Sequence, residues 1–181
     1  MSNYTKIKHY DIANGKGIRT SIFFSGCSLR CKGCFNKELW GYNVGKPFTK
    51  EVYENEIKPT MNEHIVGLSI LGGEPLDPNN IETTCELVKW FKSDFPNKNI
   101  WMWSGYEFDD LVVQYSEFWS DEANIRYQQY LKEIFSNIDV LVAGRYVEEE
   151  RDLTLKWCGS RNQRVIDIHK TLQKGSVVLY E

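Results

Sequence analysis

The sequence predicts an α/β fold with a mostly parallel sheet of about five or six strands. Three observations carry this. Short apolar runs recur along the chain, amphipathic stretches of helical period separate them, and no repeat, low-complexity tract or Pro/Ser-rich linker divides it. At 181 residues the chain fits a single domain over 1–181, since one core serves roughly 100 to 200 residues before chains split. Its 41% hydrophobic and 14% aromatic content is enough to fill such a core.

The first predicted strand is Thr20–Phe24 and the second Val66–Leu71. Asn99–Trp103 is the third, Asp139–Val142 the fourth, Arg164–Ile168 the fifth, and Val177–Tyr180 a sixth candidate. Each is rich in β-branched or aromatic residues and bounded by Gly, Asn or Asp. Between the first two, Thr49 is placed to cap a helix whose first turn carries Glu51, favourable to the helix dipole. Between the second and third, Asp77 is a predicted N-cap with Pro78 at the first helical position, and Ile81, Cys85, Val88 and Phe91 follow at helical spacing. The aromatic-rich stretch from Tyr115 to Tyr130 reads as an amphipathic helix covering the sheet, with a partner-docking surface as the other reading. Strand alternating with helix predicts right-handed βαβ units. Ligands of such sheets sit at the carboxyl ends of the strands, here just after Phe24, Leu71, Trp103 and Val142.

Charge excludes some partners. With 22 Lys and Arg against 25 Asp and Glu and no long basic block, nucleic acid is not expected. No apolar run reaches the roughly 18 residues a membrane helix needs. The first residues, Met1–Lys6, show no basic-then-apolar leader, so a cytoplasmic and reducing location is expected.

Five cysteines in a reducing compartment make a poor disulfide framework, and three of them, Cys27, Cys31 and Cys34, crowd into one glycine-flanked loop after the first strand. Four-iron clusters are held by thiolates at such spacings, and three ligands would leave one iron open to an external molecule. A structural zinc site is the alternative. It would need a fourth ligand from Cys85, Cys158, His9, His64 or His169. Cys85 shares the apolar face of its helix and reads as a buried free thiol, and Cys158 in its turn as an incidental one. Gly72 and Gly73 end the second strand and permit close backbone approach, while the Glu74 carboxylate can accept from an ammonium group. Asp109-Asp110 and Glu148–Glu150 read as solvated charge runs. The glycine-rich stretch from Asn14 to Gly17 precedes a strand and lacks the residues of a phosphate loop, so it reads as a tight turn on the rim of the site.

Several segments in order complete a wider pattern: Asn14–Thr20, Phe24–Asn36 with its CxxxCxxC spacing, Leu71–Leu76, Ile100–Tyr106, Asp139–Val142 and Gly159–Arg164. The chain resembles the radical S-adenosylmethionine superfamily and, within it, the activating enzymes of anaerobic (class III) ribonucleotide reductase. The aromatic residue Phe35, placed after the last cysteine with Gly33 before it, is the habit of that subgroup.

The resemblance implies a partial (β/α) barrel, open at the side. It implies a 4Fe-4S cluster on Cys27, Cys31 and Cys34, and S-adenosyl-L-methionine bound at its free iron and cleaved reductively. Gly33, Cys34 and Phe35 would lie near the adenine, Gly72, Gly73 and Glu74 near the amino group, and Ser104 with Gly105 near the ribose. Arg145 would meet the carboxylate or stand as a surface cation. The radical would then take a hydrogen from a glycine of anaerobic ribonucleoside-triphosphate reductase, with a flavodoxin or ferredoxin as electron donor. An activator of another glycyl radical enzyme, such as pyruvate formate-lyase, is the nearest rival reading. From other classes come a zinc-bearing interaction module and a cluster-carrying electron-transfer protein.

Overall fold

The computed structural model describes residues 1–113 and 122–181. Its frame is a seven-stranded mixed sheet: β1 (Asn3–Asp11), β2 (Arg19–Phe24), β3 (Lys46–Pro47), β4 (Gly67–Gly72), β5 (Asn99–Ser104), β6 (Val140–Ala143) and β7 (Arg164–Asp167), in the order β3-β1-β2-β4-β5-β6-β7. The central pairings β2/β4, β4/β5 and β5/β6 are parallel. Those at both margins, β1/β2, β1/β3 and β6/β7, are antiparallel. The sheet is open, because β3 and β7 are its two edges.

Three features of the sheet correct the sequence reading. The N-terminal segment forms a nine-residue strand, β1. Its polar residues conceal an irregular, partly buried strand: Tyr4 near one end packs into the core and Asp11 at the other is buried, while Thr5, Lys6, His9 and Tyr10 are exposed and the pairing with β2 shifts register twice. The strand at Arg164 is antiparallel to β6, so the sheet is less parallel than expected. The chain between them, 144–163, carries only one 3-10 turn (Glu148–Glu150) and no crossover helix, and an antiparallel return needs none. The sixth candidate, Val177–Tyr180, contributes a single bridge from Leu179 to Ile166 in place of a strand.

Among the described residues, five α-helices accompany the sheet: α1 (Lys50–Val52), α2 (Ile81–Asp94), α3 (Phe108–Val113), α4 (Glu122–Asn137) and α5 (Ile168–Lys174). Thr49 caps α1 as expected, its hydroxyl accepting from the Val52 N–H at 3.3 Å, and the helix runs on into a π-helical turn at Tyr53–Ile57. The start of α2 differs from expectation. Asp77–Asn80 forms a turn, with Asn80 N–H donating to the Asp77 carbonyl at 2.7 Å, and the helix begins only at Ile81. Of the predicted helix from Tyr115 to Tyr130, residues 115–121 lie outside the described residues; the remainder belongs to α4, which packs against α2.

Period-two alternation divides the strands between two environments. Ile22, Phe24, Leu68, Ile70, Ile100, Met102 and Leu141 join the buried apolar core with Leu87, Val88 and Phe91 of α2 and Leu131, Ile134 and Phe135 of α4. Their neighbours on the opposite face are Arg19, Ser21, Ser69, Trp101 and Trp103. There the buried Arg19 guanidinium donates to Ser69 Oγ at 2.6 Å, Asn99 Oδ1 at 2.6 Å and the Leu68 carbonyl at 2.8 Å, and lies over the Trp101 ring. Charge is tolerated on that face because every donor has a partner. Among the described residues, no helix is long and apolar enough to cross a membrane.

Candidate functional site

The carboxyl ends of β2, β4, β5 and β6 open into one cavity of about 350 Å³. Its lining brings together Cys27, Cys31 and Cys34 after β2, Gly72 to Glu74 after β4, Ser104 and Gly105 after β5, and Gly144 after β6. Phe35 and, from the turn before β2, Asn14 also line it. A wider cleft of about 680 Å³ between α2 and α4, bordered by Tyr106, Tyr127 and Tyr130, holds no cysteine and lies apart from this chemistry.

The cysteine loop has no regular structure, so other parts of the chain fix its course. The Gly26 and Cys27 N–H groups donate to the carbonyls of Leu39 and Trp40, and the Cys34 N–H to the Cys31 carbonyl at 3.2 Å. Cys27 is buried, which pushes its thiol pKa up, opposed in part by backbone hydrogen bonds from Leu29 and Arg30. Cys34 Sγ accepts from the Asn36 N–H at 3.4 Å.

All five cysteines are free thiols. Among the described residues no three His, Cys, Asp or Glu side chains are drawn together around one metal position. A single zinc ion would require that, with each sulfur about 2.3 Å from one point. A cluster asks for something different, because each thiolate binds its own iron and the cube fills the space between them. Cys27, Cys31 and Cys34 all line one cavity, and their thiolates are the donor type a cluster takes. Cys85 is buried on α2 and Cys158 approaches the Gln163 carbonyl at 3.8 Å; neither lines the cavity.

The Gly-Gly-Glu-Pro turn is pressed against the cysteine loop. A β-carbon at Gly73 would stand 2.3 Å from the Gly26 carbonyl oxygen, so only glycine lets the two backbones pass. The Glu74 N–H then donates to that same carbonyl at 2.9 Å. Glu74 itself is buried. Its Oε1 accepts from the Leu76 N–H at 3.0 Å and the Ser104 hydroxyl at 2.9 Å, and its Oε2 from the Gly105 N–H at 2.7 Å. Burial pushes this carboxyl up to about 7 against the pull of those three donors. Glu74 therefore ties the end of β4 to the end of β5.

Phe35 is 55% exposed, its ring edge-on to Tyr146 at 5.3 Å and beneath the Arg151 guanidinium. A cavity aromatic of this kind offers a face to a flat ligand. Arg145 is engaged, donating to the Leu29 carbonyl of the cysteine loop. The acidic runs are also partnered in part: Glu149 pairs with Lys32 at 2.7 Å, Glu148 accepts from the Tyr146 hydroxyl, and Asp109 pairs with Arg164.

Sequence reasoning did not single out Tyr146 or Trp157, which complete the far wall. Trp157 sits there because its carbonyl accepts from Trp103 Nε1 at 2.8 Å. Gln163 holds the same segment, bridging the Gly144 carbonyl and the Gly159 N–H at 2.8 Å each. No local pattern announces these contacts, since their partners are 19 to 54 residues apart in the pairs Gly144/Gln163 and Trp103/Trp157.

A family described as a 4Fe-4S single cluster domain matches residues 13–166. The anaerobic ribonucleoside-triphosphate reductase-activating protein of Escherichia coli K12 is 37% identical over 166 residues, covering 90% of this chain and 97% of the relative. Proteins of the same description from Haemophilus influenzae (36% over 164 residues, 89% of this chain and 95% of the relative) and from Enterobacteria phage T4 (36% over 165 residues, 90% and 92%) are similar to it along nearly their whole lengths.

Proposed function

Since the chain belongs to the family of anaerobic ribonucleoside-triphosphate reductase-activating proteins, we propose that it is a radical S-adenosylmethionine enzyme that installs a glycyl radical on such a reductase. The observation that carries the reading is the meeting of Cys27, Cys31 and Cys34 with Gly72, Gly73 and Ser104 in one cavity at the strand ends. When bound, a 4Fe-4S cluster with one iron free of protein ligands supplies the electron that divides S-adenosyl-L-methionine into methionine and the 5'-deoxyadenosyl radical that takes the glycine hydrogen. The protein supplies binding, orientation and exclusion of water.

In this reading Cys27, Cys31 and Cys34 hold the metal. Gly72 and Gly73 present backbone to the amino acid end of the substrate, and Gly33, Cys34 and Phe35 to the adenine. Glu74 acts from beneath, keeping Ser104 and Gly105 at the ribose side through its hydrogen bonds. The open seven-stranded sheet serves as a partial barrel, within one domain over 1–181, whose unclosed side admits a protein loop. The proposed setting is the cytoplasm, with a flavodoxin or ferredoxin as reductant.

The test is anaerobic incubation of the iron- and sulfide-loaded chain with S-adenosyl-L-methionine, a strong reductant and reductase. Expected are 5'-deoxyadenosine, methionine and a glycyl radical signal on the reductase. Cys31→Ala should lose the full iron content and all three products. A loaded wild-type protein that forms none of them would overturn the reading.

A further inference from the structure

Cys27 is the most buried of the three loop cysteines, and one carboxylate is tied to the loop on both sides of it, directly at Ser28 and through the Tyr42 ring at Gly26. Before it, Gly26 has φ +90°, and a β-carbon there would stand 2.2 Å from the Tyr42 ring, so that ring lies directly on the glycine. The Tyr42 hydroxyl reaches past it to Asp77 Oδ2 at 2.8 Å. After it, Ser28 donates to the same oxygen twice, from its hydroxyl at 2.8 Å and its N–H at 3.2 Å. The other oxygen, Oδ1, accepts from the Asn79 N–H and Nδ2, each at 3.0 Å. Asp77 is itself fully buried.

From these contacts we infer that Asp77 is a positioning residue for the cysteine loop: through Ser28 and Tyr42 it closes a ring of contacts around Cys27 and holds that thiol toward the cavity. The reason is stereochemical. Fixing the Ser28 N–H fixes the peptide plane between residues 27 and 28, and the Tyr42 ring fixes the glycine on the other side. The Cα–Cβ bond of Cys27 is left little freedom. Only a carboxylate suits the position. Five donors meet its two oxygens, and an amide, turned either way, would set its NH2 against donors. Partners that orient metal ligands in this manner sustain metal retention without touching the metal.

The inference builds on the cluster reading, and its test separates the two. In the full chain loaded anaerobically with iron and sulfide, Asp77→Asn should release iron to an excess chelator about tenfold faster than wild type, the size of effect such supporting partners have. Tyr42→Phe and Ser28→Ala should each give a smaller acceleration, and Asp77→Asn/Tyr42→Phe should be no faster than Asp77→Asn alone. In the metal-free chain, alkylation of Cys27 followed by peptide mass spectrometry should run several-fold faster in Asp77→Asn, with an unchanged far-UV circular dichroism spectrum.

That second arm needs no cluster. A wild-type chain that took up no iron would count against the proposed function, and Cys27 alkylation would still decide the clamp. Should Asp77→Asn fail to fold, Tyr42→Phe and Ser28→Ala carry the test. Iron release and Cys27 alkylation at wild-type rates in every folded variant would overturn the inference.

Discussion

At the scale of single residues, the chain places charge in its interior wherever enough donors converge. Asp11, at the end of β1 and fully buried, accepts from the Ser21 hydroxyl at 2.6 Å, Lys8 Nζ at 2.7 Å, Asn14 Nδ2 at 2.5 Å and the Ala13 N–H at 3.0 Å. Burial opposes its ionisation, but these hydrogen bonds outweigh it and hold the carboxyl at about 2. A carboxyl held below its unfolded value stabilises the protein above that value, and the stabilisation is lost as pH falls toward the folded one. Unfolding by urea should therefore show a loss of about 1 to 2 kcal/mol between pH 5 and pH 2 from this group, after discounting for the partly exposed Lys8 partner. In Asp11→Asn that share of the pH dependence should be absent; an unchanged profile would contradict the assignment. Asp11 carries no signal in the sequence, because its meaning depends on Ser21 across a strand pair.

At the scale of elements, α2 was the most legible part of the chain. Its buried residues Ile81, Cys85, Val88 and Phe91 follow the spacing that marks a helix lying on a sheet. Phe91 is fully buried among the residues of the main core, so Phe91→Ala should cost about 3 to 5 kcal/mol in urea unfolding. A cost under about 1 kcal/mol would mean that α2 does not carry the core as described. The start of the same helix was misread for a specific reason. Asp-Pro is a good local capping signal, and Asp77 Oδ1 does accept from the Asn79 N–H, but its Oδ2 meets Ser28 and Tyr42, some 35 to 49 residues away in sequence, and the helix begins only at Ile81. β1 was missed for the opposite reason: lying between β2 and the two-residue edge strand β3, it is mostly polar and its pattern is broken by register shifts, so only its pairing with β2 reveals it as a strand.

For the whole molecule, the open sheet leaves one face to be covered by side chains from distant segments. Tyr180 packs edge-on to Trp101 at 5.0 Å, and Trp157 to the same ring at 4.8 Å, so the C-terminal residues close what would be the interior of a barrel. Removing one member should let water reach the others. Tyr180→Ala is expected to red-shift tryptophan emission and lower the melting temperature by several degrees, whereas unchanged emission would mean that this face is already wet.

The sequence by itself determined the α/β class, the central strands, the cysteine loop after the first of them and the glycine turn after the next parallel one. These are local matters: period, spacing and residue type are written in consecutive positions. Only the tertiary structure decided that the margins of the sheet run antiparallel, that Trp157 and Gln163 wall the cavity, and that the Glu74 and Asp77 carboxylates face inward to the chain's own donors. Those are contacts between residues far apart in sequence. A buried polar group takes whatever donors folding brings to it, and the folded chain alone specifies which these are.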